Sequence, residues 1–159
     1  MNNFEYFNPV HIVFGKGQIA KLSELIGRDE KVLITYGGGS IKKNGVYDQV
    51  KVALSEHSVM EFGGIEPNPQ YDTLMKAVEL AKENNITYLL AVGGGSVIDG
   101  TKFISAAIHH NDDPWKLLSE RQKLQGATPL GTVLTLPATG SEMNTGSVIS
   151  RGKVKLGFM

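Results

Sequence analysis

Two stretches of the 159-residue sequence carry residue types whose spacing suits phosphate chemistry. One is "VLITYGGGS", Val32 to Ser40; the other is "YLLAVGGGSVIDG", Tyr88 to Gly100. Each runs from an apolar strand into three glycines and a serine. Glycine has no Cβ, so a phosphate can approach backbone N–H groups closely, and a helix opening just beyond adds the positive end of its dipole. Gly93, Gly94, Gly95 and Ser96 therefore read as a diphosphate cradle. A plainer alternative stays open, a tight strand-to-helix turn that needs glycines for positive φ. Ser96 and Asp99, three residues apart, resemble a capping box at the head of the helix.

The earlier turn differs in character. Dinucleotide sites for NAD place an Asp or Glu near the end of a neighbouring strand, on the ribose 2′-hydroxyl. Here the strand ends in Tyr36, Gly37, Gly38, Gly39 and Ser40, without a carboxylate, and Lys42 and Lys43 follow. A hydroxyl, backbone N–H groups and positive charge with nothing repelling a 2′-phosphate favour NADP over NAD. An ordinary glycine turn with solvated lysines is the alternative. Neither turn matches G-x-G-x-x-G, so spacing alone reaches a nucleotide-binding domain and stops there.

The elements around these turns alternate. Strands are expected at His11–Gly15, Lys31–Tyr36, Ser58–Phe62, Ile86–Val92, Gly131–Leu136 and Gly146–Ser150. Helical periodicity appears over Gln18–Ile26, ended by Gly27, and at Val46, Val50 and Leu54. It returns at Leu74, Val78 and Ala81, where Asn68 is the expected N-cap and Pro69 the first helical residue. A further helix runs from Ser96 to about His109, and Asp113–Trp115 can start a short turn. The final "RGKVKLGFM" carries no terminating element. Alternation with short connections implies an α/β fold, a Rossmann-like, mainly parallel sheet flanked by helices.

Composition bounds the class. Hydrophobic residues make up 41% and charged residues 20%, as in ordinary globular chains. The 16 basic and 16 acidic residues cancel, which gives no reason to expect a nucleic-acid or membrane partner. The absence of cysteine excludes disulfides, a thiolate nucleophile and Cys-bound metal. No apolar run approaches the roughly 20 residues that span a bilayer. "MNNFEYFNPVHIVFG" lacks the charge pattern of a signal peptide, so a cytoplasmic location is expected.

Three motifs, "GGIEPNP" (Gly63–Pro69), "AVGGGSVIDGTKF" (Ala91–Phe103) and "LTLPATGSEMN" (Leu134–Asn144), occur in an order that resembles the metal-dependent, iron-containing group III alcohol dehydrogenases. The branch they resemble is the NADPH-dependent aldehyde reductases and butanol dehydrogenases. The resemblance implies that Gly94, Gly95 and Ser96 hold the NADP(H) diphosphate, with Asp99 near the nicotinamide end. It implies that Thr135, Pro137, Thr139 and Ser141 line the cofactor, and that Gly37, Gly38, Gly39 and Ser40 meet the 2′-phosphate. Lys155, in "KLGF", falls where the family often has a cofactor-contacting lysine.

The resemblance also implies hydride transfer to a small-molecule aldehyde, assisted by a divalent metal, iron or zinc, held by one Asp and three His in an all-helical C-terminal domain. Residues 1–159 would then be the N-terminal dinucleotide-binding domain, truncated near its C-terminal end. None of His11, His57, His109 and His110 sits in a matching motif, and surface or helix-end placements are expected for them. The isolated chain is expected to contain no catalytic or metal-binding residue and to be inactive. A homodimer is expected at full length, with "FEYFNPVHIVF" available to pair as an added strand. The competing readings are a non-catalytic nucleotide-binding module and a glycerol or glycerol-phosphate dehydrogenase relative.

Overall fold

The computed structural model describes residues 3–158; Met1, Asn2 and Met159 lie outside the described residues. Four strands form a parallel sheet in the order β2-β1-β3-β4: β1 Lys31–Tyr36, β2 Ser58–Phe62, β3 Tyr88–Gly94 and β4 Leu130–Leu136. β1 is central, pairing Lys31 with Ser58 on one side and Val32 with Tyr88 on the other. The helices are α1 Leu22–Leu25, α2 Val46–Ala53, α3 Tyr71–Glu83, α4 Gly95–Ala107 and α5 Lys116–Ser119.

The continuous apolar runs of β1 and β3 follow from burial on both faces. Because side chains alternate along a strand, Leu33, Leu89 and Ala91 pack with Leu74 and Val78 of α3 and with Ile98 and Phe103 of α4. Val32, Ile34, Leu90 and Val92 face the other way, onto Ile26, Ile41, Val50 and Leu54. Each such aliphatic side chain, fully withdrawn from water, stabilises the fold by roughly 1.5–3 kcal/mol. The polar atoms of Thr35 and Thr101 cross this core paired to each other at 2.6 Å, and Thr101 also donates to the Val97 carbonyl.

Several expectations fail for identifiable reasons. His11–Gly15 is not a strand. No sheet edge pairs with it, and Ile12 and Phe14 are 63% and 95% exposed. The segment 18–26 begins as a 3-10 turn, Gln18–Lys21, before α1. Asn68 does not cap α3. It sits at φ 59, the Pro69 carbonyl is taken by the Ser150 N–H, and the helix opens at Tyr71. Glu66 serves the start instead, accepting from the Gln70 N–H at 3.4 Å and the Thr73 hydroxyl at 2.5 Å. The last residues do form an element. β5 Ser147–Arg151 and β6 Val154–Phe158 make an antiparallel hairpin turned at Gly152, φ 59.

That hairpin is pinned by its own chemistry. Ile149 is fully buried in the α3/α4 cluster. Arg151 lies 4.5 Å over the Tyr71 ring and 3.6 Å from Asp113, to which the Tyr71 hydroxyl also donates at 2.6 Å. Burial and the neighbouring Asp113 carboxylate push the Tyr71 hydroxyl up to about 12. Among the described residues no helix is long and apolar enough to cross a membrane.

His11 and His109 are exposed, as expected, whereas His57 is half-buried and His110 buried. His57 meets the Ile26 carbonyl at 2.9 Å and His109 the Thr128 hydroxyl at 3.0 Å. The expected helix through His109 ends at Ala107, and His110, just past it, is 3% exposed with neither ring nitrogen hydrogen-bonded. A buried polar group without a partner costs on the order of 1–3 kcal/mol. His110→Leu is therefore expected to stabilise the chain by about 1 kcal/mol, raising the thermal midpoint by roughly 2–4 °C. A lowered midpoint would show that the ring has partners worth keeping.

Candidate cofactor site

All four strands of the sheet are parallel, so their carboxyl ends share one edge, where ligands of open α/β sheets bind. Two loops are tied together there. The Gly64 N–H donates to the Gly37 carbonyl at 3.0 Å, and the Ile65 N–H to the Tyr36 carbonyl at 3.2 Å.

The turn 93–95 is built differently from a φ-demanding turn. None of its glycines has positive φ. A Cβ on Gly93 would lie 2.7 Å from Val97 Cγ2, and one on Gly95 would lie 2.6 Å from Thr139 Oγ1. Close approach therefore explains those two. At Gly94 a Cβ would meet nothing nearer than 3.6 Å, at Leu136, so packing within the chain leaves its bareness unexplained. The bare backbone leaves room for a ligand to pass close to it. α4 begins immediately after, with no side-chain cap on its first N–H groups. That leaves donors and a positive dipole end for an anion.

The capping box between Ser96 and Asp99 does not form, because both side chains are engaged by other segments. Ser96 Oγ accepts from the Asn68 N–H at 3.4 Å. Asp99 accepts from the Ser141 hydroxyl at 2.5 Å and the Val148 N–H at 3.1 Å. Asp99 thereby fastens α4 to the segment after β4. Thr139 stands over Gly95, and Ser141 is 2% exposed beneath Gly140, φ 69. Thr135 and Pro137 lie at the exposed carboxyl end of β4; between them Leu136 pairs with Gly94 across a register shift. Lys155 reaches the same edge from β6, donating to Asn68 Oδ1 at 2.6 Å. Asn68 thus links Lys155 to Ser96, a role hidden in sequence by its likeness to a helix cap.

The turn 37–40 is more open. Gly39 has φ 91, while a Cβ on Gly38 would meet nothing within 4 Å. Its lysine is not free, contrary to expectation. The Lys42 ammonium lies 4.9 Å over the Tyr36 ring, 4.8 Å over the Tyr47 ring and 3.7 Å from Glu61. Glu61 also accepts from the Tyr47 hydroxyl at 2.6 Å and Lys51 at 3.3 Å. Burial raises the Glu61 carboxyl, but the Tyr47 hydroxyl and the two lysines outweigh it and hold the group below the usual carboxylate range. A carboxylate therefore does stand near this turn, supplied by β2 and so invisible from the residues that follow β1.

Beyond Asp99, Thr139 and Ser141 opens a cleft of about 940 Å³, bordered on its far side by Leu124 and Phe158. The arrangement can hold a diphosphate at α4 and leave the other end of a dinucleotide facing this cleft. Among the described residues no group of three or more His, Asp or Glu side chains is placed to hold a metal ion.

The family described as "Iron-containing alcohol dehydrogenase" matches residues 9–159. The chain is 62% identical to the NADPH-dependent aldehyde reductase YqhD of Escherichia coli, over 95% of this chain and 40% of that protein. It is 49% identical to a probable NADH-dependent butanol dehydrogenase of Bacillus subtilis, over 98% of this chain and 41% of that one. The crystal structure of E. coli YqhD superposes with a TM-score of 0.93 at 59% identity, covering 99% of this chain and 42% of that one. The chain thus spans about two fifths of the length of these relatives.

Proposed function

Because the chain belongs to the iron-containing alcohol dehydrogenase family, we propose that it is the cofactor-binding part of an oxidoreductase that reduces small aldehydes to alcohols with NADPH. The observation that carries this reading is the edge at α4. Uncapped N–H groups, a bare Gly94 and the Thr139–Ser141 segment converge on one place, with an open cleft beyond. Gly94, Gly95 and Ser96 bind the diphosphate; Thr139, Ser141 and Asp99 wall the nicotinamide end; Thr135, Pro137 and Lys155 border it. Gly37 to Ser40 receive the adenosine 2′-phosphate through backbone N–H groups and the Ser40 hydroxyl. Lys42, partly neutralised by Glu61, contributes less than a free ammonium would.

The residues described here do not form a metal site, and no catalytic step is assigned to a metal on this chain. The iron or zinc of a whole enzyme is proposed to be held by the part of the relatives that this chain does not span. Oligomerisation as a homodimer through the exposed segment around Phe4, Phe7 and Phe14, and a cytoplasmic location, belong to the same reading. A second reading is a nucleotide-binding module without catalysis.

The test is a fluorescence titration of the 159-residue chain with NADPH and NADH, followed by an assay with butanal and added iron or zinc. Binding of NADPH in preference to NADH, without turnover, is expected. No binding of either dinucleotide would overturn the cofactor reading, and turnover would overturn the assignment of catalysis to residues outside this chain.

A further inference from the structure

α4 carries a lysine that the cofactor reading leaves without a role. Lys102 lies two turns beyond Gly95 on the same helix and is half-buried. Its ammonium donates to three acceptors: the Gly146 carbonyl at 2.7 Å, Ser141 Oγ at 2.9 Å and Asn144 Oδ1 at 3.2 Å. An ammonium has three N–H bonds, so its capacity is filled by one loop. That commitment argues against a proton donor and for a fastening.

Asn144 extends the hold. Its Oδ1 also accepts the Gly146 N–H at 2.8 Å, and its Nδ2 donates to the Gly140 carbonyl at 2.9 Å. Gly140 adjoins Thr139, whose Oγ1 stands where a Gly95 Cβ would be. A chain of contacts therefore runs from Lys102 through Asn144 and Gly140 to the residue covering the diphosphate turn. Lys102 and Gly95, the residue Thr139 covers, both lie on α4, so the helix that presents the turn also sets the height of the loop over it.

We propose that Lys102 is a positioning residue that fixes the Thr139–Gly146 loop over the dinucleotide turn; for its effect on affinity this rests on the cofactor reading above. The compact tetrahedral ammonium matches three acceptors on different sides, whereas the planar, larger guanidinium of arginine does not. Lys102→Met removes all three donors and frees the loop.

The chain has no cysteine, which permits a clean test. Lys102→Cys, alkylated with 2-bromoethylamine in denaturant and refolded, gains an aminoethyl thioether that restores the ammonium at nearly its original reach. Hydrogen exchange is read at the amides of 140–148 and of α4, and NADPH affinity by fluorescence. The Lys102→Cys and Lys102→Met chains are expected to lose protection in 140–146 while α4 keeps its own, and to bind NADPH at least tenfold more weakly. The aminoethylated chain is expected to recover both within about twofold. Unchanged protection and affinity in Lys102→Cys would overturn the proposal, as would a loss that the restored ammonium does not repair. If the wild-type chain bound no NADPH, the cofactor reading would fall, and the exchange arm would still decide whether Lys102 holds the loop.

Discussion

Gly95→Val is expected to reduce NADP(H) binding by at least about a hundredfold, equivalent to about 2.8 kcal/mol. Two effects act together. A branched side chain blocks the approach of the diphosphate to the N–H groups at the head of α4. Its Cβ also falls 2.6 Å from Thr139 Oγ1, so the covering loop must move. The second effect would operate without any ligand, which makes Gly94→Ala the necessary companion. There the new methyl meets only an ordinary contact at 3.6 Å, with Leu136, and φ is −94. Gly94→Ala is expected to fold as the wild type does and still to bind NADPH more than tenfold more weakly. NADPH titration at matched folded concentration decides the matter. Wild-type affinity in Gly94→Ala, together with binding by the folded fraction of Gly95→Val, would show that the glycines serve packing alone.

Gly38→Asp is expected to invert the choice of cofactor. Position 38 is exposed, lies outside the left-handed region and has no atom within 4 Å of a built Cβ, so aspartate fits without strain. Its charge would face the 2′-phosphate of NADPH at a separation of a few ångströms. At an effective dielectric constant of about 20, that repulsion is on the order of 2–3 kcal/mol, or roughly 30- to 150-fold in affinity. With NADH the same carboxylate can accept from the ribose 2′-hydroxyl. The ratio of the two dissociation constants should therefore move toward NADH by about a hundredfold, with an unchanged thermal midpoint. Equal affinity of the wild type for the two dinucleotides would remove the basis for placing the 2′-phosphate at 37–40. Equal affinity of Gly38→Asp for NADPH and wild type for NADPH would do the same.

What could be read along the chain was what depends on neighbours in sequence. The apolar runs Lys31–Tyr36 and Tyr88–Val92 announce buried strands because water is excluded from both of their faces. Leu74, Val78 and Ala81 announce the inner face of α3 because helical spacing and burial coincide there. The three glycine-rich motifs, in order, identify the family. Local pattern also misled where a partner was needed. "HIVF" has the composition of a strand, but a strand exists only where another offers hydrogen bonds. Asn68 has the composition of a cap, but its backbone turns left-handed and its side chain holds Lys155.

Tertiary structure alone decided the electrostatics and the fastening of the site. Glu61 sits 19 residues past Lys42 in the chain, yet β2 lies beside β1 and brings its carboxylate to 3.7 Å. Ser96 and Asp99 look like a capping pair because they are three residues apart, while in the fold longer-range partners compete for both. Asn68, Ser141 and Val148 supply donors to them from other segments, and of the three only Ser141 is buried. Lys102 shows the same division. In sequence it is an ordinary helical lysine, and only the return of the chain after β4 surrounds its ammonium with three oxygen acceptors. The sequence by itself determined the four strands of the parallel sheet, the glycine turns and the family, through periodicity and motif. Which charges meet, and which loop is held over the cofactor turn, depended on contacts between segments some 20 to 90 residues apart, set by parallel pairing and the packing of α4.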